Sequence, residues 1–480
     1  LEDLAILLFA QEKSYTPSIE EQAARFVDPE REVPDVAAAL QGAMDIVAEE
    51  VSDNADYRRE LRRLTFDAGS LTSKAAKEED SVYAMYYDFS EPLRKLPGHR
   101  ILAIHRGEKE EFLKVALTVP EDVVLGYLYN RVLSGNRSPA EPYVREAVTD
   151  AYNRLIAPSI EREIRNDLFD TACEGAIKVF SDNLGHLLMQ PPLKGKVVLG
   201  FDPGYAHGCK LAVVDPTGKV LDTAVVYPTI KPRAEEAARV VKRLIRNYAV
   251  DVVAIGNGTA SRESEAFIAG LLKQIEKPCK YIIVSEAGAS IYSASQLAAE
   301  EFPDFDVMQR SAVSIARRLQ DPLAELVKID PKGIGIGQYQ HDMKQARLDE
   351  ALGGVVESCV NAVGVDINTA SYSLLSYIAG INQTAAKNIV KYREENGAFT
   401  TRGQVTKVPR IGAKAFQQCA GFLRVPGGRE ALDNTGVHPE SYDCARRLLS
   451  MFGYSEADIA NGGLTGLRQK VVRKGMQSVC

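Results

Sequence analysis

The most informative part of this chain for its fold is Val197-Val-Leu-Gly-Phe-Asp-Pro-Gly-Tyr-Ala-His-Gly-Cys-Lys-Leu-Ala-Val-Val-Asp215. Its first five residues form a short apolar run, as in a central strand that is covered on both faces. Gly204 and Gly208 allow the backbone to reverse, and the apolar run that follows returns as a second strand. The pattern predicts a strand, a glycine-rich turn and an antiparallel strand, with Asp202 at the carboxyl end of the first.

An acid at the end of a strand has two interpretations. Magnesium and manganese take oxygen ligands from a few carboxylates, so Asp202 is the kind of residue that a metal-dependent phosphoryl-transfer site needs. A solvated or capping aspartate at a strand end fits this stretch equally well, because a single acid is a weak signal.

The residues after this stretch predict the rest of one mixed sheet. Asp215-Pro-Thr-Gly218 is a turn signal, and apolar runs alternate with amphipathic helical segments from there on. The predicted elements are a strand over 219–227, a helix over 232–248, a strand over 250–255, a helix over 262–273 and a strand over 281–284. Three antiparallel strands followed by helix, strand, helix and strand is the order of the RNase H-like fold.

Two further acids are candidate partners for Asp202. Glu286 follows the fifth predicted strand, and Asp321 lies on a later helix just before a proline. Carboxylates that converge repel one another and hold a cation to relieve the repulsion. We therefore expect Asp202, Glu286 and Asp321 to be the metal ligands and catalytic residues if this domain is a magnesium- or manganese-dependent nuclease.

The region before the sheet is predicted to be almost entirely helical, up to about residue 190. Its basic block Tyr57-Arg-Arg-Glu-Leu-Arg-Arg63 is interpreted as a solvated helix face. Gln190-Pro-Pro-Leu-Lys-Gly-Lys196 breaks the helical pattern and marks a domain boundary. The predicted domains are a helical region (1–190), the RNase H-like domain (193–325), a connecting segment (326–368), a tandem helix-hairpin-helix (369–425) and a small helical unit (426–480).

The second informative stretch is Ala370 to Arg424, which predicts two helix-hairpin-helix units in tandem. Helical segments flank the short hairpins Ala379-Gly-Ile-Asn382 and Pro409-Arg-Ile-Gly412. Such a hairpin points backbone N–H groups and the positive end of the next helix at a phosphate oxygen. The hairpin needs residues that tolerate a left-handed backbone, and we assign that role to Gly380, Asn382 and Gly412.

These hairpins also supply a basic patch. From Ala385 to Arg424, eight Lys or Arg residues stand against Glu394 and Glu395, a local charge of +6 in a chain whose net charge is −7. A module that serves only for packing is the alternative interpretation. The predicted nucleic-acid-binding residues are Gly380, Ile381, Asn382, Lys387, Lys391, Arg410, Ile411, Gly412 and Lys414.

Composition bounds the remaining possibilities. The 480 residues are 45% apolar and 26% charged, which is ordinary for globular domains. No run of 18 apolar residues and no signal peptide are present, so no membrane association is expected. The seven widely spaced cysteines contain no C-x-x-C, which argues against zinc and a disulfide framework and fits a reducing cytoplasm.

Several strings resemble the Tex family of bacterial transcription accessory proteins. They are Asp202-Pro-Gly, Ala254-Ile-Gly-Asn-Gly-Thr-Ala-Ser-Arg-Glu263, Val284-Ser-Glu-Ala-Gly-Ala-Ser290, residues 312–332 and Gly337-Gln-Tyr-Gln-His-Asp342. The resemblance covers most of the chain and is strongest from about 197 to 445. It implies a helical amino-terminal region, a YqgF-type RNase H-like domain and the paired hairpins.

This chain also departs from the family and from related nucleases in two respects. Family members carry a carboxyl-terminal OB-fold RNA-binding domain, and no β-rich segment follows residue 426, so we expect a fragment that lacks it. Related YqgF and RuvC-type nucleases hold metal with acids at positions matching Asp202, Glu286 and Asp321, whereas Asn257 is an amide where RuvC-type enzymes have an acid.

Three functions follow from this reading. The first is a nucleic-acid-binding transcription accessory protein that contacts the phosphate backbone of RNA or DNA without sequence specificity, with RNA polymerase or other transcription proteins as possible partners. The second is a metal-dependent nuclease or resolvase. The third is a protein-interaction scaffold of the transcription machinery.

Overall fold

The chain forms two compact units. The computed structural model describes residues 1–77, 79–276, 278–335, 337–460, 462–464 and 466–474. Leu1–Lys178 and His341–Met343 form the first unit, and Val179–Gln340 and Lys344–Cys480 form the second. Within the described residues, none of the helices is both long and apolar enough to span a membrane.

Helices make up most of the first unit, as the sequence predicts. Their apolar faces follow the three- and four-residue spacing of an amphipathic helix, for example Ala43, Val47 and Val51, which are all buried. The helices are α1 (Glu2–Ala10), α2 (Ile19–Ala23), α3 (Val36–Asp53), α4 (Ala55–Ala68), α5 (Gly98–Lys109), α6 (Glu121–Val132), α7 (Glu141–Asp150) and α8 (Ala157–Leu188). A π-helical turn, Ala151–Ile156, joins α7 to α8.

A three-stranded antiparallel sheet interrupts this helical unit, and the sequence did not predict it. The strands are β1 (Ser70–Ala75), β2 (Asp88–Pro92) and β3 (Leu113–Thr118), in the order β2-β1-β3. Along β1 the buried residues Leu71 and Ser73 alternate with more exposed ones. This alternation is short and partly polar, so the longer helical periodicity on either side obscures it.

The second unit contains the predicted RNase H-like sheet. Its strands are β4 (Val198–Asp202), β5 (Cys209–Val214), β6 (Val220–Val226), β7 (Val252–Gly256) and β8 (Lys280–Val284). Their order is β6-β5-β4-β7-β8. Strands β4, β5 and β6 pair antiparallel, and β4, β7 and β8 pair parallel. The carboxyl ends of β4, β7 and β8 therefore meet at one edge, which we call the sheet edge.

Helices cover both faces of the sheet. They are α9 (Lys231–Asn247), α10 (Ser261–Leu272), α11 (Ala289–Ser293), α12 (Gln296–Glu301), α13 (Val307–Gln320) and α14 (Pro322–Leu326). Side chains of α9 and α10 pack on one face, and Ala312 and Ala316 of α13 pack on the other. A Cβ on Gly200 of β4 would lie 2.1 Å from the Ala312 carbonyl oxygen, so this glycine permits the close approach of α13.

The rest of the second unit contains the predicted hairpins. Its helices are α15 (Gln345–Val363), α16 (Tyr372–Leu375), α17 (Gln383–Asn396), α18 (Ala413–Cys419), α19 (Tyr442–Met451), α20 (Glu456–Ala460) and α21 (Leu467–Lys474). The helical segment before the second hairpin is a 3-10 helix, Arg402–Lys407. Two short strands, β9 (Val365–Asp366) and β10 (Leu423–Arg424), pair parallel around the hairpins. The predicted small unit over 426–480 is helical where it is described, and residues 475–480 lie outside the described part.

Candidate functional site at the sheet edge and the paired hairpins

Asp202 is the last residue of β4 and lies at the sheet edge. It is opposite Lys210 in the β4–β5 register, and Lys210 is only 8% exposed. Burial raises the pKa of the Asp202 carboxyl, while the side chain of Ser311 and the charge of Lys210 act in the opposite direction. The site therefore combines a partly buried acid with a buried amine.

Glu286 lies beside Asp202 at the same edge, as predicted. Burial and the charge of Asp202 raise its pKa, and the backbone of Gly258 and the charge of Arg318 lower it. Its Oε2 atom is buried and accepts no hydrogen bond from any described residue. The edge thus holds two carboxylates that disfavour each other's charge, one of them with an unsatisfied oxygen.

Two glycines and an asparagine form the cradle of Glu286. A Cβ on Gly258 would lie 1.5 Å from Glu286 Oε1, and a Cβ on Gly256 would lie 2.6 Å from Oε2. Asn257 donates its backbone N–H to the Val284 carbonyl (3.1 Å), and its Oδ1 accepts from the Glu286 N–H (3.0 Å). The amide at position 257, which we noted as a departure from RuvC-type enzymes, therefore fixes the backbone of the glutamate.

Arg318 of α13 lies beneath this edge. It is 3% exposed, and its Nη1 donates to the carbonyls of Ser285 (3.0 Å) and Ala287 (2.7 Å). Burial lowers its pKa, and the charges of Glu325 and Glu286 raise it. The guanidinium thus holds the loop that carries Glu286 and partly balances its charge.

Asp321, the third predicted ligand, does not lie with the other two. Helix α13 runs antiparallel to β4, so that Ser311 near its start is the residue beside Asp202. Nine residues later, about 14 Å along the helix, Gln320 donates to the carbonyls of Lys196 and Asp215, at the opposite end of β4. There Asp321 Oδ1 caps α14 by accepting from the Ala324 N–H (3.0 Å).

The residues at the sheet edge do not fit a two-metal centre. A two-metal site needs carboxylates that bridge ions about 4 Å apart. Across the described residues, no group of three His, Cys, Asp or Glu side chains is placed to hold a metal ion. The residue of α13 that meets Asp202 is a serine, and Lys210 already contributes a positive charge. The predicted magnesium or manganese ligand set is therefore incomplete.

The two hairpins share one backbone plan. Gly380 and Arg410 hold left-handed backbones, with φ of 82° and 70°. The next residue is a buried isoleucine in each, and Ile381 N–H donates to Ile378 O (2.9 Å) as Ile411 N–H donates to Val408 O (3.1 Å). Asn382 and Gly412 then begin α17 and α18 from extended backbones. The two predicted hairpins thus have closely similar backbone conformations and hydrogen bonds.

This plan corrects the roles predicted for Asn382 and Gly412. Gly412 has a φ of −84° and a ψ of 179°, a backbone that any residue adopts, and a Cβ there would meet no atom within 4 Å. The left-handed residue of the second hairpin is Arg410 instead. Asn382 is also extended and acts as a cap, because its Oδ1 accepts from the Ala385 N–H (2.9 Å). Only Gly380 has the predicted conformation.

Not all the predicted positive charge faces solvent. Arg402 is 1% exposed and donates to the Leu423 and Val437 carbonyls and the Tyr442 hydroxyl, at 2.7–2.9 Å. It also donates to the Thr435 carbonyl. Arg393 is half-buried and donates to the Ile367 carbonyl (2.8 Å). The exposed cations of this stretch are Lys387, Lys391, Lys407, Arg410 and Lys414.

The predicted binding lysines differ in their surroundings. Lys387 lies over the Tyr372 ring (5.1 Å to the centroid), and Lys391 is 3.7 Å from Glu395. Arg410 and Lys414 have no side-chain partner within the described part of the chain. A cavity of about 430 Å³ opens at the first hairpin, lined by Glu357 and residues 376–382. The hairpins therefore present cations and a concave backbone surface together.

Sequence reasoning missed the roles of Lys210, Ser311, Arg318 and Arg402. Lys210 stands in an otherwise apolar strand, which is a signal for a buried charge that sequence alone supplies. Ser311 and Arg318 lie seven residues apart on α13, and only the direction of that helix brings them to the sheet edge. For Arg402, no signal separates it from the exposed cations around it.

Comparisons with known proteins agree with this architecture. The model described as Tex protein YqgF-like domain matches residues 196–320, and the model described as Tex central region-like matches residues 14–180. A helix-hairpin-helix motif matches residues 360–424. An HHH domain matches residues 430–476, which lie within the predicted small helical unit.

Curated relatives match over most of the chain. The uncharacterized protein YdcI of Bacillus subtilis is 51% identical over 94% of this chain and 63% of its own length. Protein tex of Bordetella pertussis is 46% identical over 89% of this chain and 56% of its own length. The transcriptional accessory protein Tex of Neisseria gonorrhoeae is 45% identical over 98% of this chain and 62% of its own length. The chain thus spans roughly six-tenths of the length of these relatives.

Proposed function

The chain belongs to the Tex family, and from that premise we propose that it is a nucleic-acid-binding transcription accessory protein whose paired hairpins contact the sugar-phosphate backbone. The observation that carries the proposal is the duplicated hairpin. Each copy has a left-handed residue, a buried isoleucine and a helix start, with exposed cations nearby. The match to a helix-hairpin-helix motif over residues 360–424 supports the same function.

The contact we propose uses charge and backbone donors. The first N–H groups of a helix have no partner inside the helix, and a phosphate oxygen satisfies them. Lys387, Lys391, Arg410 and Lys414 add positive charge around these donors. Contacts of this kind fix the position of a nucleic acid but carry no base information. We therefore propose binding to RNA or DNA without sequence specificity.

We also propose a cellular setting and a partner. No disulfide joins the six cysteines in the described part of the chain, which fits a reducing cytoplasm. A relative is named transcriptional accessory protein, and this supports a role beside RNA polymerase or another transcription protein. Co-precipitation of polymerase with the wild-type chain and with the hairpin variant below would separate this partner from nucleic-acid binding. A scaffold that acts through proteins alone would keep the polymerase contact and bind no nucleic acid.

The test of the hairpins is a charge-reversal variant, Lys387→Glu with Arg410→Glu and Lys414→Glu. Each lost phosphate contact reduces the slope of log K against log salt by about 0.7–0.9, so the slope should fall by about two to three. Binding should weaken equally for unrelated sequences. The control reverses the same number of charges in the first unit, with Arg31→Glu, Arg59→Glu and Arg145→Glu, and an equal loss there would contradict a local site.

The nuclease alternative rests on Asp202 and Glu286. Their proximity and the unsatisfied Glu286 Oε2 favour it, and the missing third carboxylate opposes it. We expect no cleavage of RNA or DNA, single- or double-stranded, with magnesium or manganese. Manganese-dependent cleavage that disappears in Asp202→Asn would establish the nuclease function instead.

A further inference from the structure

Helix α9 carries a row of arginines on its solvent face. Arg239, Arg243 and Arg246 are exposed and follow one another by four and three residues, which places them on one side of the helix. Lys242 lies beside them and donates to Gln274 Oε1 (2.8 Å). The opposite side of α9 packs into the core of the sheet through Ala237, Val241, Leu244 and Ile245. We call the solvent side, residues 239, 242, 243 and 246, the α9 basic face.

The arginines of this face lack internal partners. Among the described residues, Arg239, Arg243 and Arg246 form no ion pair and no side-chain hydrogen bond. The basic block of α4 differs, although its sequence looks similar. There Arg59 pairs with Asp56 (2.6 Å), Arg62 with Asp167, and Arg63 with Glu60 (2.6 Å) and Asp67 (2.8 Å). Three of the four arginines in the block that we interpreted from sequence as a solvated face are paired with acids, whereas the three arginines of the α9 basic face are not.

The uncompensated charge is unusual for this molecule. The chain carries a net charge of −7, and like charges four residues apart on a helix repel one another. Glu235 and Glu236 lie at the amino-terminal half of α9, and Asp222 accepts from the Tyr248 hydroxyl (3.2 Å). None of these acids pairs with the three arginines within the described residues. The carboxyl-terminal end of the helix dipole favours positive charge, but it offsets only part of the repulsion among the arginines.

The chemistry of the α9 basic face favours phosphate over a protein surface. Residues four apart on a helix are separated by about 6 Å along its axis, so the guanidinium groups form a line rather than a cluster. Guanidinium binds phosphate through two parallel hydrogen bonds. Protein interfaces are anchored by buried aromatic and aliphatic side chains, and α9 exposes none of the large hydrophobic residues.

We propose that the α9 basic face is a second contact for the sugar-phosphate backbone of nucleic acid, on the RNase H-like domain and separate from the hairpins. The proposal rests on the proposed function, because it extends the nucleic-acid surface of the same chain. It assigns the RNase H-like domain a binding role that needs neither Asp202 nor a metal ion. It also predicts that the hairpin variant keeps part of the salt dependence of the wild type.

The test replaces Arg239, Arg243 and Arg246 by glutamine and measures binding of a long single-stranded RNA and the matching DNA across a series of salt concentrations. The slope of log K against log salt should fall by about two to three. The variant with lysine at the same three positions keeps the charge and should keep most of the slope. The matched control is Arg59→Gln with Arg62→Gln and Arg63→Gln on α4, whose arginines are already paired and should leave the slope unchanged.

Each outcome decides between the two proposals. If the hairpin variant reduces the slope and the α9 glutamine variant does not, the α9 contact is overturned and the proposed function stands. If wild-type protein does not bind nucleic acid, both fall. If the α9 variant loses affinity for polyglutamate but keeps its nucleic-acid slope, the face binds an acidic protein segment and the inference is wrong. Circular dichroism identifies a variant that fails to fold. In that case the salt slopes of the single variant Arg243→Gln and of the lysine variant are compared with that of the wild type.

Discussion

The sheet edge and the paired hairpins differ in where their charged side chains lie. At the sheet edge, two carboxylates are partly buried, burial raises the pKa of both, the charge of Asp202 raises the pKa of Glu286 further, and the Glu286 Oε2 is unsatisfied. At the hairpins, charged groups are of two kinds, with Arg402 buried and fully engaged and Arg410 and Lys414 exposed and unpaired. The sheet edge thus holds charge inside the fold, whereas the hairpins direct it outward.

The role of a charged residue at a predicted site therefore depends on the residues around it. A strand-end acid becomes a metal ligand only where other carboxylates converge on it, and here Asp202 has Glu286 beside it but Ser311 and Lys210 as its further neighbours. A cation in a basic stretch contacts a ligand only where the fold leaves it exposed, and Arg402 supports the hairpins from within.

Arg402→Met should produce the largest loss. Removing the guanidinium takes the donor from the half-buried carbonyls of Thr435 and Val437 and leaves the Leu423 carbonyl with Arg424 Nη1 alone (2.9 Å), which costs roughly 3 kcal/mol or more of unfolding free energy. Denaturant unfolding measures the loss. Lys407→Met, an exposed cation five residues away, is the control and should change stability by less than about 0.5 kcal/mol. Equal effects of the two substitutions would contradict the division into buried and exposed cations.

Gly258→Ala should disturb the sheet edge. The new Cβ would lie 1.5 Å from Glu286 Oε1, so the glutamate must move, at a cost of roughly 1–3 kcal/mol. Combining it with Glu286→Ala should restore most of the stability, because the clash is removed. Gly270→Ala on α10 meets no atom within 4 Å and should instead stabilise the protein by roughly 0.5–1 kcal/mol. A destabilised double variant would show that Gly258 has a different role.

Gly380→Ala and Gly412→Ala should separate the two hairpins. Gly380 has a φ of 82°, and a Cβ there would lie 2.7 Å from Gln418 Cβ, so we expect a loss of about 1–2 kcal/mol. Gly412 has an ordinary extended backbone and free space, and its substitution should change stability by less than about 0.5 kcal/mol. Thermal unfolding of both variants checks this order. The reverse order would mean that the left-handed residue is Gly412, as the sequence alone suggests.

Asp202→Asn should have the smallest effect and one that depends on pH. Burial raises the pKa of Asp202, so its charged form destabilises the folded state as the pH rises above the ordinary value of 3.8. The asparagine variant carries no such charge and should be more stable than wild type at neutral pH. The difference should disappear below the ordinary value, where both states of the wild type are protonated. A variant that is less stable at neutral pH would indicate that the carboxylate is stabilised by a partner such as Lys210.

Much of this architecture follows from local patterns. The run Val197–Phe201 predicts β4 because its apolar residues are contiguous, and the succession of strands and helices in the RNase H-like domain follows from the spacing of later runs. The tandem hairpins follow from short turns between helical segments. The sheet at β1–β3 was missed because its strands are short and partly polar, between helices with stronger periodicity. Local secondary structure can be predicted from sequence because it depends on residues that are neighbours in the chain.

The sequence alone determined the RNase H-like sheet, the paired hairpins and the acids Asp202 and Glu286 at one edge, because parallel strands end together. Only the tertiary structure decided that Asp321 caps α14 at the far end, because the direction of α13 is set by its packing on β4 through Gly200. It also decided which arginines are buried, paired or free. Sequence gives the number of charges in a stretch, but burial and pairing depend on residues that are distant in the chain and adjacent only in the fold.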